Sequence, residues 1–128
     1  VVTGRQRLGA FAERVARHFL EARGYRFIEA NVRLSPGEID LVMRDGDEVV
    51  AVEVRARRDA EGAAAESVGR RKLQRLWRCA AAYAEARGVP LERMRVELVA
   101  VELSARGRVE RVEHFTALEI PDEDPAAW

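Results

Sequence analysis

Apolar residues recur every three or four positions near the start of the chain: Leu8, Phe11, Ala12, Val15, Phe19 and Ala22. That spacing predicts a helix over Arg5–Arg23 with one apolar stripe. Thr3 suits its N-cap and Gly24 its C-terminal stop. The pattern then changes. Tyr25–Arg33 predicts a strand and Ser35-Pro36-Gly37 a turn. Gly37–Arg57 predicts two further strands joined at Asp45-Gly46-Asp47-Glu48, and Arg58–Ala65, polar or small, a loop. Helical spacing returns over Ser67–Arg87, where Leu73, Leu76, Trp77, Ala80 and Ala84 share a face before Gly88 and Pro90. Met94–Leu103 and Val109–Leu118 predict two more strands around a turn at Ser104–Arg108. The order αβββαββ predicts an α/β fold, with a central mixed β-sheet of about five strands flanked by helices. The second helix is placed to carry the chain from the third strand to a parallel fourth. On this reading residues 1–120 form a single domain and 121–128 a flexible acidic tail.

The middle strands break their apolar pattern in one way. Gly37-Glu38-Ile39-Asp40 and Val52-Glu53-Val54-Arg55 set carboxylates among branched aliphatic residues. Gly46 at the first central position suits a two-residue type II′ turn. With Gly46 and Asp47 as the loop, Asp45 faces Glu48, Val42 faces Ala51, Asp40 faces Glu53 and Glu38 faces Arg55. Opposed residues project from one face with Cβ atoms about 4.5–5.5 Å apart. One face then carries Glu38, Asp40, Glu53 and Arg55. The other carries Ile39, Leu41, Met43, Val50, Val52 and Val54.

Two opposed carboxylates repel each other and resist burial. Either one of them keeps a proton, or a divalent cation sits between them. Mg²⁺ is commonly held by one or two carboxylates plus waters and phosphate oxygens. Such an ion orients a water and stabilises charge on a phosphate. The pattern equally suits a solvated face, with Glu38–Arg55 an ion pair and Asp40 and Glu53 exposed. Spacing alone leaves both readings open.

Composition narrows the classes. The chain has 128 residues, 48% apolar and 34% charged, which suits one soluble globular domain. No apolar run approaches the roughly 20 residues of a membrane span, and no signal-peptide pattern is read at the start. Cys79 is the only cysteine. It excludes an internal disulfide and a cysteine-based zinc site, and it suits a cytoplasmic protein. A formal net charge of zero excludes attraction of nucleic acid by overall charge, leaving local patches. Lys72 is the only lysine; every other Lys/Arg-type cation is arginine. Arg57, Arg58, Arg70, Arg71 and Lys72 are the candidates for contacts to phosphates, although such a run also suits a solvated face. Trp77, Tyr83 and Cys79 fall at packing positions. His18 and His114 lack ligand spacing and are expected to be structural or exposed. The chain has no Ser-His-Asp arrangement, phosphate-binding glycine loop or dinucleotide fingerprint.

Taken together, Glu13 with Ala16, Gly24-Tyr25, Asn31, the GEID and VEVR strands and Lys72 resemble the PD-(D/E)xK superfamily. This is the restriction-endonuclease-like fold. Within it the chain is similar to the small bacterial YraN-like family, akin to archaeal Holliday-junction resolvases. The resemblance spans roughly Leu8 to Ile120. It implies Asp40 and Glu53 as ligands of Mg²⁺ or Mn²⁺, Glu13 reaching toward the metal or its waters, and Glu38 as a supporting acid. Arg55 stands where the superfamily usually has lysine, completing a catalytic set of Asp40, Glu53, Arg55 and Glu13. Arginine hardly ever gives up a proton, so Arg55 suits an electrostatic clamp better than a general base. Ala12 replaces the glycine usual before the helix glutamate, and Glu97 stands where aspartate is usual on the fourth strand. The implied function is a divalent-metal-dependent endonuclease hydrolysing phosphodiester bonds of DNA, with branched or structured DNA within its range. RNA stays open, no membrane partner is expected, and a homodimer fits the fold. Arg55 also keeps open a catalytically weak or inactive nucleic-acid-binding protein that retains the nuclease fold. Zero net charge keeps open an interaction module with no nucleic-acid partner.

Overall fold

The computed structural model describes residues 3–58 and 69–121. Helix α1 spans Gly4–Ala22 and is followed by strands β1 (Arg26–Leu34), β2 (Gly37–Asp45) and β3 (Glu48–Arg58). Helix α2 (Arg70–Arg87), a 3₁₀ turn at Leu91–Arg93, and strands β4 (Met94–Leu103) and β5 (Val109–Phe115) complete the order. One mixed sheet runs β1-β2-β3-β4-β5. Its pairs are antiparallel except β3 and β4, which run parallel with α2 between them in sequence. The expected α/β architecture, element order and parallel pairing of the third and fourth strands are therefore observed.

Local chemistry sets the boundaries. Thr3 and Gln6 form a capping box: Gln6 N–H donates to Thr3 Oγ1 at 3.1 Å, and Thr3 N–H to Gln6 Oε1 at 2.8 Å. Gly88 ends α2 with φ 69°, a left-handed conformation that costs glycine little. Gly46 takes φ 60° in the β2–β3 turn, and Asp45 faces Glu48 as expected. Because β3 lies in the middle, it is covered on both faces, and Val49 through Glu53 are all buried.

Each helix seals one face. Under α2 lie Val32, Ile39, Val42, Val49, Ala51 and Val96 against Leu76, Cys79, Ala80 and Tyr83. Under α1 lie Leu41, Met43, Val50, Val52, Val99 and Val101 against Ala12, Ala16 and Leu20. Ile39 departs from the expected face. It packs on the α2 side with its β1 partner Val32, because the β2–β3 ladder ends at Leu41–Val52 and β2 there follows β1.

The last expected strand is shorter than its apolar pattern. It ends at Phe115, and the chain turns through Ala117 at φ 51°. Leu118 N–H donates to Val96 O at 2.9 Å, and Trp77 Nε1 donates to Leu118 O at 3.1 Å. Strand β3 extends to Arg58, one residue into the expected loop. The rest of that loop, the Ser67 start expected for α2, and residues 122–128 of the expected tail lie outside the described residues.

His114 takes the structural alternative of the two expected for it: its side chain is 2% exposed and Nε2 lies 2.8 Å from Glu97 Oε1. Glu97, wholly buried, also accepts from Tyr25 Oη at 2.8 Å and from Arg95 Nε at 3.1 Å. Arg95 reaches on to Asp45 at 2.7 Å and to Glu48. Burial and the neighbouring Glu97 push the Tyr25 hydroxyl up to about 12. This network ties β4 to the hairpin and to the residue after α1. It sits at the opposite end of the β2–β3 ladder from Asp40, so Glu97 is a structural anchor.

Candidate functional site

The β2–β3 ladder holds from Asp45–Glu48 to Leu41–Val52 in the expected register. Past that point Asp40 bridges the strands with its side chain, Oδ2 accepting Val54 N–H at 2.8 Å. Asp40 thus satisfies a backbone donor at the end of the ladder, where an unpaired buried N–H is costly. Glu53 lies beside it, only 6% exposed. The solvated-face reading of this pair does not hold.

Burial, then the hydrogen bond and negative charge of Glu53, push the Asp40 carboxyl up to about 8, against the pull of Val54 N–H. Near neutral pH Asp40 therefore keeps a proton in the metal-free protein. Helix α2 supplies a second positive charge: Lys72 Nζ lies 2.6 Å from Glu53 Oε2. Arg55 Nε is 3.9 Å from the same oxygen, buried and with no hydrogen-bond partner among the described residues. Proton and ammonium together mark where the carboxylates draw positive charge.

These groups form the floor of an open cleft of about 620 Å³. Its walls include Glu38 and Gly37 from β2, Arg75 and Cys79 from α2, and Arg5 from α1. Burial raises the Cys79 thiol, in keeping with the expected packing role. Lys72 and Arg75 stand three apart on α2 and share its cleft-facing side. That spacing was a readable signal for Arg75. Nothing local signals Arg5, which only the fold brings to the site.

Glu13 sits to one side. It lines a separate shallow cavity with Arg14, Arg17 and Phe27 rather than the main cleft. Asn31 joins it to the site. Asn31 Nδ2 donates to Glu13 Oε1 at 3.0 Å and Oε2 at 3.2 Å, and to Glu38 Oε1 at 3.2 Å. Asn31 takes φ 52° where β1 skips a rung between Ala30–Leu41 and Val32–Ile39. Burial raises the Glu13 carboxyl, Asn31 lowers it, and the charges of Glu38 and Glu53 raise it again. Glu38 faces Arg33 across β1 and bonds Asn31, so the expected Glu38–Arg55 cross-strand pair is replaced.

The expected phosphate contacts divide. Lys72 enters the cleft. Arg57, Arg70 and Arg71 are exposed and do not line it. Arg58 lines a different cavity with Arg7, Phe11 and Leu103. Strand twist and helix pitch separate residues that are close in sequence.

The site offers a metal two carboxylates. Among the described residues no group of three or more His, Cys, Asp or Glu side chains is arranged to hold an ion. A buried and a half-buried carboxylate opening together into a cleft fit a hard divalent cation that keeps waters and takes substrate oxygens. They do not fit a structural zinc, which takes four protein ligands rich in nitrogen or sulfur.

Comparison with known proteins follows the same residues. The profile of the Uncharacterised protein family UPF0102 matches residues 12–101. The chain belongs to this family. A UPF0102 protein of Beutenbergia cavernae is 44% identical over 109 residues, covering 84% of this chain and 92% of the relative. One from Anaeromyxobacter dehalogenans is 40% identical over 126 residues, covering 98% and 92%. One from Serratia proteamaculans is 52% identical over 86 residues, covering 66% and 74%. Among solved structures, Pyrococcus furiosus SfsA in complex with Ca²⁺ aligns with 89% of this chain and 65% of its own, at TM-score 0.42 and 16% identity. The UPF0102 match encloses Glu13, Asn31, Asp40, Glu53, Arg55, Lys72 and Arg75, and leaves Arg5 outside.

Proposed function

We propose that this protein is a divalent-metal-dependent nuclease that hydrolyses phosphodiester bonds of DNA, with branched or structured DNA in its range. The observation that carries the reading is the Asp40–Glu53 pair, half-buried Asp40 beside buried Glu53 past the end of the β2–β3 ladder, facing a cleft rimmed by Arg5, Arg55, Lys72 and Arg75. Asp40 and Glu53 would hold Mg²⁺ or Mn²⁺, which supplies Lewis-acid stabilisation and an activated water when bound.

The chain's own residues do the rest. Val54 N–H holds Asp40 in place, and Asn31 holds Glu38 and Glu13 beside the pair. Glu13 adds negative field from the α1 side. Arg5 and Arg75 bind phosphate oxygens as charged donors at the cleft walls. Arg55 presents a fixed positive charge next to the reacting phosphate rather than a base.

The test is cleavage of labelled linear duplex, single-stranded and four-way-junction DNA in Mg²⁺ or Mn²⁺, with Asp40→Asn purified in parallel. Cleavage that is lost in the variant supports the nuclease. Equal cleavage by both proteins refutes the metal assignment.

A second reading rests on Arg55, whose Nε is buried with no hydrogen-bond partner among the described residues. It is a protein that keeps the nuclease fold and binds nucleic acid without turnover. It predicts salt-sensitive DNA binding, no cleavage by the wild type, and no gain from Arg55→Lys. Among the described residues no helix is long and apolar enough to cross a membrane.

A further inference from the structure

We propose that Lys72 is an exchangeable counter-ion: it occupies Glu53 while the metal site is empty and moves to the substrate phosphate when a divalent cation takes that carboxylate. The inference deepens the nuclease reading and rests on it.

Four observations carry it. Lys72 Nζ lies 2.6 Å from Glu53 Oε2, the closest ion-pair contact at the site. Glu53 is one of the two carboxylates available to a metal, so the ammonium sits where a metal-bound oxygen is needed. Lys72 lines the cleft, and its side chain is 30% exposed, so the charge lies at the boundary between floor and solvent. Finally, Lys72 comes from α2, a different element from Asp40 and Glu53, and its stem can move without disturbing the strand pair.

The physical step is charge replacement. A dication and an ammonium cannot share one carboxylate oxygen at contact distance without strong repulsion, and the low-dielectric floor enlarges that repulsion. Lysine is a compact point charge on a flexible four-carbon stem with three donors, suited to re-aiming. Its neighbour Arg55 is less free: Nε is buried, and its backbone is held in β3 opposite Ala100 of β4. The displaced ammonium finds a phosphodiester oxygen in the same cleft. Metal binding and phosphate binding then support each other, and such coupling is reciprocal.

This makes Lys72→Met a variant with opposite effects on two affinities. Mn²⁺ should bind the free variant more tightly, by about tenfold, because a competing cation is gone. Four-way-junction DNA, measured in Ca²⁺, should bind more weakly, and cleavage in Mg²⁺ should fall by about 100-fold or more. Lys72→Arg keeps a cation and should hold Mn²⁺ affinity near wild type. Lys72→Gln, which retains a donor for Glu53, replaces the Met variant if that protein does not fold. Weaker Mn²⁺ binding together with weaker DNA binding would show Lys72 to be a structural prop and overturn the proposal. So would unchanged DNA affinity and unchanged cleavage. A wild-type protein that binds Mn²⁺ through Asp40, and binds DNA, yet cleaves nothing refutes the nuclease reading, while the two affinities still decide the role of Lys72.

Discussion

Replacing Asp40 by asparagine should stabilise the metal-free protein, and more so as pH rises. The Asp40 carboxyl is pushed from 3.8 to about 8, chiefly by burial and then by Glu53. Between those values the folded protein keeps a proton that the unfolded chain has released. The unfolded state therefore binds fewer protons, and wild-type stability falls with pH across this window by at most about 1.4 kcal/mol per unit. At pH 7 the ceiling is about 4 kcal/mol. Lys72 and Arg55 nearby, together with solvent relaxation, bring the expected difference to about 2–4 kcal/mol. Asparagine copies the protonated carboxyl. Its oxygen accepts Val54 N–H, its amide donates toward Glu53, and it has no proton to lose. Urea unfolding in EDTA at pH 5, 6, 7 and 8 measures the difference. The two proteins should differ least at pH 5 and diverge steadily to pH 8, with the variant melting about 10 °C higher at neutral pH. Mn²⁺ should reverse the order by stabilising the wild type alone. A pH-independent difference, or a variant less stable at pH 7 in EDTA, would refute the account of Asp40.

Other residues give sharp outcomes. Glu97→Ala removes an acceptor of Tyr25, Arg95 and His114 and should cost about 2–5 kcal/mol in urea unfolding, because Tyr25 and His114 lose a buried partner while Arg95 keeps Asp45 and Glu48. Asn31 takes φ 52°, so Asn31→Gly should be about 1 kcal/mol more stable than Asn31→Ala, although both lose the bonds to Glu13 and Glu38. Equal stabilities would mean that the backbone relaxes out of the left-handed region. Arg75→Ala should weaken DNA binding and lower its dependence on the logarithm of salt concentration by about one contact, whereas Arg58→Ala, which faces another cavity, should change neither in filter or anisotropy binding assays.

How far the sequence reaches can be judged residue by residue. Apolar periodicity placed both helices and all five strands, because burial on two covered faces demands that spacing. The Gly46 turn set the hairpin register as far as Leu41–Val52, and continuing that register predicted Asp40 beside Glu53. Four things were decided by tertiary structure. The β2–β3 ladder stops before Asp40, so Glu38 turns to Asn31 and Arg33 instead of Arg55; where a ladder ends depends on twist and on competing partners. Lys72 reaches Glu53 only because α2 crosses the sheet face that carries the carboxylates. Arg5 and Arg75 rim the cleft while Arg57, Arg70 and Arg71 do not, and Glu97 gathers Tyr25, Arg95 and His114 from three parts of the chain. Periodicity reports which residues are buried. It does not report which buried charges meet, since that depends on packing between elements far apart in sequence.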